Sequence, residues 1–120
     1  MGKTILLVED EKDILYLTRI RLKKAGYEVL EASSVQKASA MIIKEKPDLI
    51  LLDLLLLGGR GEALCKKLKA DEKLKKIPVV LFTATGRDLK KKISETGADD
   101  GILKPYDPEV LLKKIKKFIG

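Results

Sequence analysis

At 120 residues, with 45% hydrophobic and 36% charged residues, the chain has apolar material for one core and enough charge to solvate its outside, which excludes a disordered polymer and leaves no room for two independent cores. The net charge is +7, but lysines such as Lys23, Lys66, Lys90 and Lys113 recur in every predicted helix instead of forming one block. With three Tyr and two Phe to stack on bases, that charge reads as solvated helix faces, and no direct nucleic-acid binding is expected.

The chain opens with MGKTILLVEDE, whose apolar run is broken by acids too early for a signal peptide; no stretch approaches a membrane span, so a cytoplasmic protein without membrane contact is expected. Thr4–Val8 reads as the first strand. After Glu9, Asp10 and Glu11 comes a helix in which Leu15, Thr18, Leu22 and Ala25 share one face, ended by Gly26. Glu28–Ala32 reads as a second strand, followed by a helix presenting Val35, Ala38 and Ile42. Pro47 and Asp48 then precede Leu49–Asp53, apolar without alternation, as suits a central parallel strand covered on both faces and here ended by an acid. The next helix holds Leu64 and the lone Cys65, which reads as a buried or half-buried thiol. Pro78–Thr83, a helix ended by Gly97, Gly101–Leu103, and a last helix with Leu111, Ile115 and Phe118 on one face complete the order. Strands alternating with helices imply βα units and a parallel sheet; a single domain spanning 1–120 is expected, with no repeat, linker or output domain within these residues.

In such a sheet, ligands collect at the carboxyl ends of the strands, where the sequence has Glu9, Asp10 and Glu11, then Asp53, then Thr83 and Thr85, then Lys104-Pro105. Each is common singly where strands enter loops. Together they form a specific set. Converging carboxylates repel one another and ask for a hard divalent cation, Mg²⁺ being the natural candidate because it accepts few carboxylates and takes phosphate oxygens. A carboxylate can also act as a nucleophile toward phosphorus when cations neutralise the incoming charge, and Lys104 is available for that. Histidine is absent, which removes Ser-His and Cys-His pairs and His-ligated zinc. An acidic first loop also disfavours a flavin or nucleotide cradle.

On these residues the chain resembles a response-regulator receiver domain, similar to single-domain chemotaxis and sporulation relay proteins, over its whole length from Ile5-Leu6-Leu7-Val8-Glu9-Asp10-Glu11 to the last helix. The resemblance rests on the Glu9-Asp10 pair, Asp53 in Leu52-Asp53-Leu54, Thr83 in Phe82-Thr83-Ala84 and Lys104-Pro105. Gly61 and Gly97-Ala98-Asp99-Asp100 support the fold. It implies a flavodoxin-like doubly wound (βα)5 domain with a five-stranded parallel sheet in order 2-1-3-4-5. It further implies phosphoryl transfer to Asp53 from a sensor histidine kinase or histidine phosphotransfer protein, with a downstream protein target of unknown identity. Asp10, Asp53 and the Leu55 carbonyl would hold Mg²⁺ directly, and Glu9 through water. Thr83 would be the switch hydroxyl. Lys104 would pair with Asp53 and later with the phosphoryl group, next to a cis Lys104-Pro105 bond. Such a domain catalyses its own phosphorylation and dephosphorylation but turns over no separate metabolite. The signalling surface would comprise Asp88–Thr96, Gly101–Leu103 and Pro108–Phe118.

Two positions depart from the pattern. Leu56-Leu57 replace the family's Met-Pro, giving an apolar loop from Leu54 that is expected to pack on the site's rim, with a docking surface as the other reading. Gly101 replaces a Tyr or Phe, so no aromatic rotamer switch can operate there. These departures motivate the alternative of a phosphorylation-independent docking module.

Overall fold

The computed structural model describes residues 2–55, 61–84 and 88–120. Ten elements alternate along them: β1 (Thr4–Val8), α1 (Lys12–Lys24), β2 (Glu28–Ala32), α2 (Val35–Glu45), β3 (Leu49–Asp53), α3 (Gly61–Ala70), β4 (Val79–Thr83), α4 (Leu89–Thr96), β5 (Asp100–Leu103) and α5 (Pro108–Ile119). The strands form one parallel sheet in the order β2-β1-β3-β4-β5, as the resemblance implies.

The period-2 geometry of a strand sends neighbouring residues to opposite faces, and here both faces are buried. Leu6, Val8, Ile50, Leu52, Val79 and Leu81 meet Ala38 and Ile42 of α2 and Leu64, Cys65 and Leu68 of α3, with Leu89 and Ile93 of α4 packed against the same cluster. Ile5, Leu7, Leu49, Leu51, Val80, Phe82 and Ile102 meet Leu22 of α1 and Leu111 and Ile115 of α5. Every residue of β3 is buried, which is why its sequence lacks alternation.

Local chemistry sets the ends. Ser34 caps α2 by accepting from the Lys37 N–H at 3.1 Å. Asp107 caps α5 by accepting from the Glu109 N–H at 2.9 Å, with Pro108 in the first turn. Three boundaries differ from expectation. Pro78 has no N–H to give, and β4 begins at Val79. Asp100 pairs with Val80, so β5 starts one residue early. Helix α1 ends at Lys24, and Ala25, placed by periodicity on the buried face, is exposed where the chain turns toward Gly26 at φ +101°. No helix among the described residues is long and apolar enough to cross a membrane.

Cys65 is fully buried, with its thiol facing the Thr96 carbonyl oxygen at 3.7 Å. Burial pushes the thiol pKa up, which keeps it protonated and unreactive. Alkylation of the native protein at neutral pH is therefore expected to run at least about a hundredfold slower than in denaturant, measured by mass spectrometry against time.

Candidate functional site

The carboxyl ends of β1, β3, β4 and β5 point to one edge of the sheet, and the sequence-predicted residues meet there. Glu9 follows β1 and is fully buried. Its Oε2 accepts from the backbone N–H groups of Asp10 and Glu11, both at 3.0 Å, so the carboxylate folds back over the turn that leads into α1. Asp53, the last residue of β3, is buried as well. Its Oδ1 accepts from the Leu55 N–H at 3.0 Å, an Asx-type turn that directs the carboxylate back over the strand end. Behind it, a Cβ on Gly61 would lie 2.7 Å from the Asp53 carbonyl oxygen and 2.9 Å from Leu54 Cα. The first residue of α3 thus lacks a side chain because the helix starts against the backbone that carries Asp53.

Lys104 leaves β5, with its N–H donating to the Thr83 carbonyl at 2.9 Å, and precedes a cis bond to Pro105. Its ammonium spans two acids: 2.5 Å to Glu9 Oε1 and 3.1 Å to Asp53 Oδ2. It also lies 4.7 Å from the centre of the Phe82 ring, a cation–π arrangement within the same desolvated pocket. Burial works against the lysine's charge, but the Glu9 hydrogen bond and the Asp53 and Glu9 carboxylates outweigh it, holding the pKa above the ordinary lysine value. Burial raises the Glu9 pKa, opposed by the bonds from Lys104 and the Glu11 N–H and reinforced by the neighbouring Asp53 charge. Thr83 is buried at the end of β4, in register with Leu103.

Carboxylate oxygens of Glu9, Asp10 and Asp53 all lie within 4.8 Å of one another, Asp10 being half-buried. Three carboxylates converge here and every donor is a hard oxygen, so the residues fit Mg²⁺. Leu55, expected to add its carbonyl, sits at the same rim with its side chain exposed. Thr85 and the Leu56-Leu57 pair lie outside the described residues; of the apolar loop, Leu54 packs against the core and Leu55 does not. The resemblance implies the pairing of Lys104 with Asp53; the bond to Glu9 is additional. A further unanticipated contact joins Tyr106 to Thr18, across 88 positions of sequence.

Gly101 proves to be filled space. A Cβ there would stand 2.9 Å from Leu89 Cδ1 and 3.0 Å from Ile93 Cδ1, so α4 rests directly on the bare strand. Gly101→Tyr is expected to lower stability by about 1–3 kcal/mol through overpacking, measured by denaturant titration. Lys104→Met leaves two carboxylates buried without their cation. It is expected to cost the metal-free protein about 3 kcal/mol, part of which returns on adding Mg²⁺, read from the same titration.

Comparison with known proteins agrees with this geometry. The family model for the response regulator receiver domain matches residues 5–116. The chain is 47% identical over 117 residues to the phosphate regulon transcriptional regulatory protein PhoB of Pseudomonas aeruginosa, covering 97% of this chain and 51% of that protein. It thus spans about half the length of the curated relatives it matches. Among solved structures, a CheY-like response regulator receiver domain protein from Methanospirillum hungatei JF-1 superposes with a TM-score of 0.88 at 31% identity, over 98% of this chain and 93% of that one. The receiver domain of the sensor histidine kinase PA1611 from Pseudomonas aeruginosa PAO1, solved with a magnesium ion coordinated in its active-site cleft, superposes with a TM-score of 0.90 at 25% identity, over 100% and 99%. With strand order, acidic edge and family match in agreement, this chain belongs to the response regulator receiver domains of two-component signalling.

Proposed function

We propose that this chain accepts a phosphoryl group on Asp53 in a Mg²⁺-dependent reaction, from the phosphohistidine of a sensor histidine kinase or histidine phosphotransfer protein, and that its affinity for a downstream protein changes as a result. The observation that carries the reading is the buried Lys104 ammonium held against both Glu9 and Asp53 beside a third acid, Asp10.

In this reaction one Asp53 oxygen bonds to phosphorus while the donor's P–N bond breaks and its electron pair stays on the imidazole. The Leu55 N–H and Lys104 orient the Asp53 carboxylate before transfer. Lys104 then follows the charge onto the phosphoryl oxygens, and the Thr83 hydroxyl donates to the same group. Asp10, Asp53 and the Leu55 carbonyl would hold Mg²⁺, with Glu9 acting through water; when bound, the ion supplies charge neutralisation at the phosphoryl oxygens. Attack of water on phosphorus returns the free carboxylate, so the only turnover is of the chain's own acyl phosphate. The lysines spread over α1, α3, α4 and α5 instead of forming one block, which favours a protein target over direct nucleic-acid binding for this chain.

The absence of an aromatic side chain at Gly101 favours a second reading, a docking module whose partner affinity ignores phosphorylation. Intact-mass measurement after incubation with acetyl phosphate separates the two. A phosphoryl adduct is expected on the wild type with Mg²⁺, and none with EDTA or on Asp53→Asn. An adduct on Asp53→Asn would refute the assignment, and no adduct on the wild type would favour the docking module.

A further inference from the structure

Lys104 and Asp53 are not on neighbouring strands. In the order β2-β1-β3-β4-β5, the loop after β5 must reach back over the end of β4 to bring an ammonium to β3 and β1. Long lysine side chains are flexible. Something must fix the base from which this one reaches.

Two residues on from Lys104, the Tyr106 hydroxyl hydrogen-bonds Thr18 Oγ1. Thr18 lies in the middle of α1 and is fully buried. The Tyr106 ring packs against the core cluster beneath α1 and α5. The same loop also borders open volume: Lys104, Pro105 and Tyr106 line a surface cleft of about 420 Å³, faced by Ile14, Leu17 and Arg21 of α1. Packing alone therefore leaves the loop room to shift on that side. Helix α1 in turn begins directly after the Glu9–Glu11 turn. A bond from α1 to the lysine's loop ties together the two walls of the site between which Asp53 stands.

We propose that Tyr106 and Thr18 are positioning residues: their hydrogen bond anchors the loop 104–106 to α1 and so sets the Lys104 ammonium against Glu9 and Asp53 for phosphoryl transfer. Neither touches the reacting atoms. The inference rests on the phosphoryl-accepting role given to Asp53 above, and its test separates the two ideas.

The variants are Tyr106→Phe, which keeps the ring, Thr18→Val, which keeps the shape, and Thr18→Ser, which keeps the hydroxyl. In the metal-free protein, the ¹H–¹⁵N signal of the ion-paired Lys104 ammonium is assigned by its loss in Lys104→Met. Its hydrogen exchange is expected to accelerate in Tyr106→Phe and Thr18→Val but not in Thr18→Ser. Labelling by acetyl phosphate is expected to slow roughly fivefold to tenfold in the first two and to recover in Thr18→Ser, while Mg²⁺ affinity by titration stays within about twofold. Slow Cys65 alkylation, on the opposite face of the sheet, verifies that each variant is folded. Unchanged ammonium exchange in both Tyr106→Phe and Thr18→Val, or slowed labelling that Thr18→Ser does not rescue, would overturn the tether. If the wild type takes no label while ammonium exchange responds as expected, the anchoring holds and the phosphoryl-accepting role falls.

Discussion

A single buried ammonium holds this site together. Glu9 has no exposed surface and Asp53 very little, and burying two carboxylates side by side is costly without a cation beside them. Lys104 supplies it from the far side of the sheet, over the face of Phe82. The Asp10 and Glu11 N–H groups satisfy the other Glu9 oxygen, and the Leu55 N–H the other Asp53 oxygen. No buried side-chain nitrogen or oxygen among the described residues is left without a partner. A pocket so balanced resists casual ligands, because an incoming anion must compete for the lysine. A further cation beside Glu9, Asp10 and Asp53, whose carboxylates converge, would ease that competition.

Much of this was legible because the governing signals are local. An unbroken apolar strand ending in an acid, Leu49–Asp53, specifies a fully covered central strand whose end bears the carboxylate. Caps and glycines mark helix ends within a residue or so. Contacts joining distant segments leave no such trace. The Glu9–Lys104 bond links residues 95 positions apart and depends on which strand lies beside which. Periodicity places Thr18 on α1's inward face, where it is buried, but says where a side chain points and nothing about its partner. Its hydroxyl acquires meaning only when the β5–α5 loop brings Tyr106 to it. Ala25 failed for the opposite reason. It kept the helical period one residue beyond the point where the helix stops.

Gly101 shows what a departure from a family pattern means physically. Absence of the aromatic side chain removes a rotamer, but it does not leave a void, since Leu89 and Ile93 occupy the space. Helix α4 consequently rests on β5 by direct contact with backbone. Gly101 is in register with Leu81, and Leu103, two residues on, is in register with Thr83 at the edge of the site. A rotamer switch would let the strand end and the helix move in separate steps, with a side chain as go-between. Here the two are in van der Waals contact within a close-packed layer, which deforms little before it repacks. On the phosphoryl-accepting role proposed for Asp53, a displacement of the β4 and β5 ends would press on α4 directly, and the helix, not a side chain on β5, would be the element to move.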